Sequence, residues 1–314
     1  MVTLLGDNRS RMMPATRRDV VFDSTGTRCS AFYYVPERAQ AGAQCPAIVM
    51  AHGIGSTKEM RLPAFAAQFA NAGFVVTLFD YRNLGASGGE PRNQMLPAAQ
   101  HEDYRNAITW TQLQPEADPD RIGLWGTSYS AGHVLHISAF DRRAKAVVAQ
   151  APVVSGYQTA RRLMPPIVFA ATRQMVSDDR VRRYQAGEIS YLPLAAPEGK
   201  PCLLSTPDSL AWLNDAGLAS EGRFENRITF ESIEHFFHYE PAIHIDAIAP
   251  TPLRMIVADN DLLAPTDLAL AAYARAMEPK SLVLIKGSHF DVYQGDGFEV
   301  ASKAALEWFE MHLT

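Results

Sequence analysis

Residues 121–133 read RIGLWGTSYSAGH, and the rest of the chain is best read outward from them. An apolar run ending at Gly126 gives way at Thr127-Ser128 to a stretch rich in small residues, Ser130, Ala131 and Gly132. That pattern predicts a buried strand, a sharp turn carrying Ser128, and a helix that starts at once. Such a turn lifts the serine hydroxyl clear of the backbone, provided that small residues two positions on either side let strand and helix approach. Gly126 meets this need fully. Ser130 stands where glycine is usual, and serine is among the smallest alternatives.

The same alternation extends in both directions. Residues 19–23 and 30–35, separated by Gly26, predict an opening antiparallel hairpin. Strands are then expected at 47–52, 74–80, 121–126 and 144–150, and again at 253–259 and 281–286, with helices near 60–72, 99–113, 129–139, 266–277 and 296–312. Strands of continuous apolar character are buried on both faces, so the expected fold is α/β, a mostly parallel central sheet flanked by helices. Residues 155–249 break the alternation with Pro165-Pro166, basic pairs and many aromatics. Insertions of this size are usually lids or binding elements. The expected organisation is a mobile arm at 1–17, a catalytic core of 18–154 and 250–314, and an inserted, mainly helical cap at 155–249.

Ser128 is a poor nucleophile unless a base takes its proton, and in strand-turn-helix serine sites the chain order is serine, acid, histidine. Beyond the last acid-bearing strand only His289 and His312 remain. His289 follows the apolar run SLVLIK in a loop that could carry an imidazole over the sheet edge, whereas His312 is third from the C-terminus in a helical pattern. For the acid, VADNDLLAP offers Asp259 and Asp261. Asp261 lies past the strand end and is the candidate partner of His289; Asp259 is expected to end the strand or hold the turn. An oxyanion needs two backbone donors. His52-Gly53-Ile54-Gly55 and the residue after the serine point to the amides of Ile54 and Tyr129.

Composition bounds the partners. Apolar residues make up 47% of the 314 and charged residues 20%, enough for a large buried sheet. A net charge of -5 provides no basic stripe for phosphates, so nucleic acid is not an expected partner. Cys29, Cys45 and Cys202 fit no zinc or redox spacing and are read as reduced. No window approaches the roughly 18 consecutive apolar residues of a membrane span, and the N-terminus lacks a signal-peptide core, so the expected location is cytoplasmic, with no membrane partner. A small acyl substrate is the expected partner, and a homodimer is left open. Asp80 and Arg82 are expected to pair and fix a loop near the site, outside the chemistry. In the cap, Trp212, Phe236 and Phe237 are the candidate acyl-pocket residues, with a preference for apolar acyl groups of medium size.

The segments MAHGIGSTKE, LFDYRNLGASGGEPR, DRIGLWGTSYSAGHVL, TPLRMIVADNDLLAP and KGSHFDVY resemble the α/β-hydrolase superfamily, over nearly the whole chain from about residue 18. More narrowly they resemble the dienelactone-hydrolase-like and fungal polyketide transferase/thiohydrolase group, whose members also carry serine at the position of Ser130. In that resemblance Asn83 stands where many relatives have glycine. The resemblance implies a serine hydrolase cleaving esters or thioesters, with Ser128, Asp261 and His289 as its catalytic residues and neither a metal nor an organic cofactor. The same machinery would serve an X-Pro-type peptidase or an acyltransferase, and a catalytically silent binding protein is the alternative outside enzymes.

Overall fold

The computed structural model describes residues 15–314. Of the arm expected at 1–17, residues 1–14 lie outside the described residues, and the first strand, β1 (Thr16–Ser24), already takes up Thr16 and Arg17. It pairs antiparallel with β2 (Thr27–Val35) across the two-residue turn Thr25-Gly26. The one-turn α1 (Glu37–Gln40) leads to β3 (Cys45–Ala51), α2 (Leu62–Asn71) and β4 (Val75–Phe79). Then follow α3 (Pro97–Gln112), β5 (Ala117–Thr127), α4 (Tyr129–Phe140) and β6 (Ala144–Gln150).

The stretch between β6 and the next sheet strand holds α5 (Gly156–Leu163), α6 (Pro166–Ala186), the short ribbon β7 (Tyr191–Leu192) with β8 (Ile228–Thr229), and helices α7 (Ser209–Gly217) and α8 (Phe230–Phe237). The core resumes with β9 (Leu253–Ala258), α9 (Thr266–Arg275), β10 (Lys280–Ile285) and α10 (Gly295–Leu313). Among the described residues no helix is long and apolar enough to cross a membrane.

Eight strands form the main sheet in the order β1-β2-β4-β3-β5-β6-β9-β10. From β4 to β10 every neighbouring pair is parallel, and β2 runs antiparallel to both its neighbours. All seven side chains of β3 are buried, which is what strands covered on both faces require. Alternation sorts them: Ala47, Val49 and Ala51 join Leu124 in one core layer, while Ile48 and Met50 join Trp125 in the other. The chain goes from β3 outward to β4 on one side and returns to β5 on the other. A reversal of this kind leaves a crevice at the carboxyl ends of the two strands, where ligands bind in open α/β sheets. The Ile54 loop leaves the end of β3 and Ser128 leaves the end of β5.

The part of 155–249 that departs from the core is 156–239, for its two ends close on each other: the Gly156 N–H donates to the Tyr239 carbonyl at 2.6 Å. Residues 240–249 instead lie along the core. Arg142 donates to the carbonyls of Ala247 and Ile248, and Arg275 to that of Ala242.

Candidate active site

Ser128 is the hinge between β5 and α4, with φ 56° and ψ -117°. A non-glycine residue held there costs about 1–3 kcal/mol, so the surroundings must impose the turn. They do so through the backbone. The Ser128 N–H donates to the Gln150 carbonyl at 2.8 Å, and the Ser128 carbonyl accepts from Val153 at 3.1 Å. Gly126 is obligatory for packing, since a Cβ there would lie 2.3 Å from the Ser130 carbonyl oxygen. Gly53 is the second close approach, with its would-be Cβ 3.1 Å from that of Ser128.

The imidazole of His289, in the loop after β10, places Nε2 3.0 Å from Ser128 Oγ. Its Nδ1 lies 2.7 Å from Asp261 Oδ2. A carboxylate only accepts, so Nδ1 carries the hydrogen and Nε2 is left to accept from the serine hydroxyl. The other oxygen, Asp261 Oδ1, accepts from the N–H groups of Leu263 at 2.9 Å and Ala264 at 2.8 Å. All three side chains are buried. Asp259, the other acid considered, is exposed and accepts from the Gly287 N–H at 2.9 Å, which ties the end of β9 to the loop carrying His289. The expected oxyanion donors belong to the same spot: Ile54 lines the cavity at Ser128, and Tyr129 begins α4 directly after it. Among the described residues neither of their N–H groups donates to another backbone carbonyl.

A family model described as X-Pro dipeptidyl-peptidase (S15 family) matches residues 25–169. The chain is 34% identical over 300 residues to the quorum-quenching protein AidA of Acinetobacter baumannii, covering 95% of this chain and 96% of that one. It is 28% identical over 279 residues to the thiohydrolase aneE of Aspergillus aculeatus, covering 85% and 86%. The polyketide transferase grgF of Penicillium is 29% identical over 277 residues, 87% of this chain and 90% of that one. The crystal structure of GrgF, described as an α/β hydrolase, matches with a TM-score of 0.79 at 28% identity, over 95% of this chain and 99% of that chain. The chain belongs to the α/β-hydrolase superfamily.

In this α/β-hydrolase, the loop that follows β3 is held by a buried ion pair with no obvious signature in the sequence. Asp80, at the end of β4, accepts from Lys58 Nζ at 2.6 Å, from the Lys58 N–H at 2.7 Å and from the Ala86 N–H at 2.9 Å. His52 Nε2 lies 3.6 Å from the same carboxylate. The expected Asp80–Arg82 pairing is therefore corrected. Arg82 turns the other way along the strand end and pairs with buried Asp103 at 2.6 Å, and Asp80 takes the lysine. Lys58 sits in GSTKE, where it reads as an ordinary loop lysine; only a carboxylate buried opposite could reveal it.

The departure at Ser130 also acquires a partner, because its Oγ is 2.8 Å from the Tyr81 hydroxyl beneath the turn. Asn83 has φ 67°, a left-handed conformation that asparagine tolerates better than most residues, so it can fill a glycine's place.

Of the three cap aromatics expected at the acyl pocket, Trp212 and Phe236 line the cavity at Ser128 together with Thr159, Leu163 and Leu203. Phe237 is not among the lining residues. At 3.6 residues per turn consecutive side chains of α8 face different ways, and Phe237 packs on Phe169 with ring centroids 5.5 Å apart.

Between α3 and α4 lies a cluster of neutral histidines, His101 on the first and His133 and His136 on the second. His101 stacks on His136 with centroids 4.2 Å apart and meets His133 edge-on at 4.5 Å. Burial foremost, then the neighbouring His136 and Arg105, lowers the pKa of His101 to about 3. Burial likewise holds His133 well below the ordinary histidine range. Above an unfolded value of about 6.5 these groups are neutral in both states. As pH falls below that value the unfolded chain takes up protons and the folded chain does not, until about pH 3 for His101. Each such group then removes about 1.4 kcal/mol of stability per pH unit. The melting temperature is accordingly expected to fall from pH 7 to pH 5, and to fall less in His101→Leu. Calorimetry at stepped pH measures this, and a melting temperature that rises on acidification would contradict it.

Proposed function

We propose that this α/β-hydrolase is a serine hydrolase that cleaves an ester or thioester of an apolar acyl substrate through an acyl-enzyme on Ser128. One observation carries the reading. The hydrogen-bonded chain from Ser128 through His289 to Asp261 faces a cavity whose described lining residues include no Asp, Glu, Lys or Arg. Ligand pockets of this character take apolar groups and orient them with few polar fixtures.

In the proposed mechanism Ser128 Oγ attacks the acyl carbonyl carbon while His289 Nε2 takes its proton. The carbonyl electron pair moves onto oxygen, where the N–H groups of Ile54 and Tyr129 hold it; donors of this kind contribute about 3–4 kcal/mol in the transition state. Collapse expels the alkoxide or thiolate, which takes up the proton that His289 received from Ser128. Water, deprotonated by the same imidazole, then attacks the acyl-enzyme, and the departing Ser128 Oγ recovers its proton. Asp261 fixes the imidazole tautomer and stabilises the imidazolium. An alcohol in place of water would give acyl transfer by the same steps.

The S15 match raises the alternative of a peptidase. It stops at residue 169, before Leu203, Leu204, Trp212, Leu213 and Phe236 of the cavity wall, and a peptidase taking a free amino terminus needs a carboxylate that the described wall lacks. The test is labelling by a fluorophosphonate probe, followed by a panel of p-nitrophenyl esters and acyl thioesters. Stoichiometric labelling at Ser128, abolished in Ser128→Ala, is expected with turnover of the panel. Cleavage of X-Pro peptides in preference to every ester would replace the reading with the peptidase.

A further inference from the structure

The cavity at Ser128 has a volume of about 40 Å³. That is room for roughly three water molecules, little for an apolar acyl chain of medium length. A larger apolar chain must continue elsewhere. A second cavity of about 390 Å³ lies within the cap, lined by Met164, Val168, Met175, Leu192, Phe230 and Ile233 among others. Two side chains, Leu163 and Leu203, belong to the walls of both cavities. These two leucines stand between the cavities, and neither carries a polar side-chain group that a passing hydrocarbon would have to desolvate.

We propose that the acyl chain of the substrate passes between Leu163 and Leu203 into this second cavity, so that the preferred substrates are esters or thioesters of long apolar acyl groups, about eight carbons and more. The inference rests on the serine-hydrolase reading and goes beyond it in naming the chain's path and length. The occupant follows from the wall. It is mostly aliphatic, it adjoins the cavity of the reacting serine across Leu163 and Leu203, and its volume is about ten times larger, which suits a flexible hydrocarbon. Burial of each methylene contributes about 0.8 kcal/mol, so filling the second cavity gives selectivity for length that the small cavity alone cannot.

Val168 and Met175 face this cavity from α6 while remaining partly exposed, so a tryptophan at either place adds bulk without overpacking the core. In Val168→Trp and Met175→Trp the ratio of dodecanoyl to acetyl ester kcat/KM is expected to fall at least tenfold. Val181→Trp, on the same helix but outside the lining, should keep the wild-type ratio. Wild-type Cys202 supplies a second readout, for it lines the second cavity and is partly accessible, whereas Cys29 and Cys45 are buried. A dodecyl fluorophosphonate on Ser128 is expected to slow alkylation of Cys202 by N-ethylmaleimide at least tenfold, and a methyl fluorophosphonate to leave it fast.

Equal ratios in all four proteins, together with equal alkylation after the long and short probes, would overturn the path while leaving the reactive Ser128 in place. A wild-type protein that neither takes the fluorophosphonate nor cleaves any ester would overturn the hydrolase reading, and the path with it.

Discussion

Ser128→Ala and His289→Ala should each lower kcat by roughly 10⁴- to 10⁶-fold, and the double variant should be little worse than either one. The non-additivity comes from the geometry. With Oγ 3.0 Å from Nε2, the hydroxyl has no base without the imidazole, and the imidazole has no proton to take without the hydroxyl. What survives is substrate binding and the oxyanion donors, which still favour attack by water to a small extent. Both substitutions shorten a side chain, and Ser128 already occupies a strained turn, so neither should lower the melting temperature by more than a few degrees. Initial rates on the best ester of the panel, with mass spectrometry to exclude contaminating wild type, measure the effect. If Ser128→Ala kept a tenth of the wild-type rate, another nucleophile would have to be sought.

The second large effect separates two acids that stand two residues apart. Asp261→Asn should cost about 10³- to 10⁴-fold in kcat, because the amide can present N–H to Nδ1 and so favour the wrong imidazole tautomer. Asp259→Asn removes only an exposed charge, keeps an oxygen to accept from the Gly287 N–H, and should stay within about threefold of wild type. Asp261 also ties the N–H groups of Leu263 and Ala264, so its variant is expected to lose some stability; asparagine keeps one acceptor oxygen for them. The kcat ranking of the two variants, taken well below their melting temperatures, decides the assignment. A ranking in the opposite order would move the role of acid to Asp259.

Much of this arrangement was legible before any coordinates, and for a physical reason. Parallel strands covered on both faces read as uninterrupted apolar runs, so β3, β4, β5, β6, β9 and β10 fall within a few residues of where periodicity puts them. β5 is the exception at its start, because the polar stretch around Asp118 to Arg121 extends the strand toward solvent. The groups placed around Ser128 were legible because each must follow a strand at the same sheet edge. Contacts between segments distant in sequence were not. Lys58 and Asp80 are 22 residues apart, and Arg82 and Asp103 are 21 apart, so no local pattern shows which charges pair. Within 155–249 the two-residue strands β7 and β8 are too short to show a period, and α8 could not be oriented without knowing what it covers, which is why Phe237 was expected at the cavity.

The closure between Gly156 and Tyr239 also sets the terms on which this cap could be exchanged for a relative's. Tyr239 does more than end the excursion: its hydroxyl lies 3.1 Å from the Tyr129 carbonyl and 2.8 Å from His133 Nδ1, against the helix that starts at Ser128. Gly132 leaves the room for it, since a Cβ there would lie 2.5 Å from that hydroxyl. A chimera spliced at 155 and 249 would therefore bring a foreign residue into the support of the Tyr129 amide and disturb turnover for reasons unrelated to specificity. Junctions drawn just inside, after Gly156 and before Tyr239, keep this clasp native and let the donor cap alter only the walls it gives to the cavities.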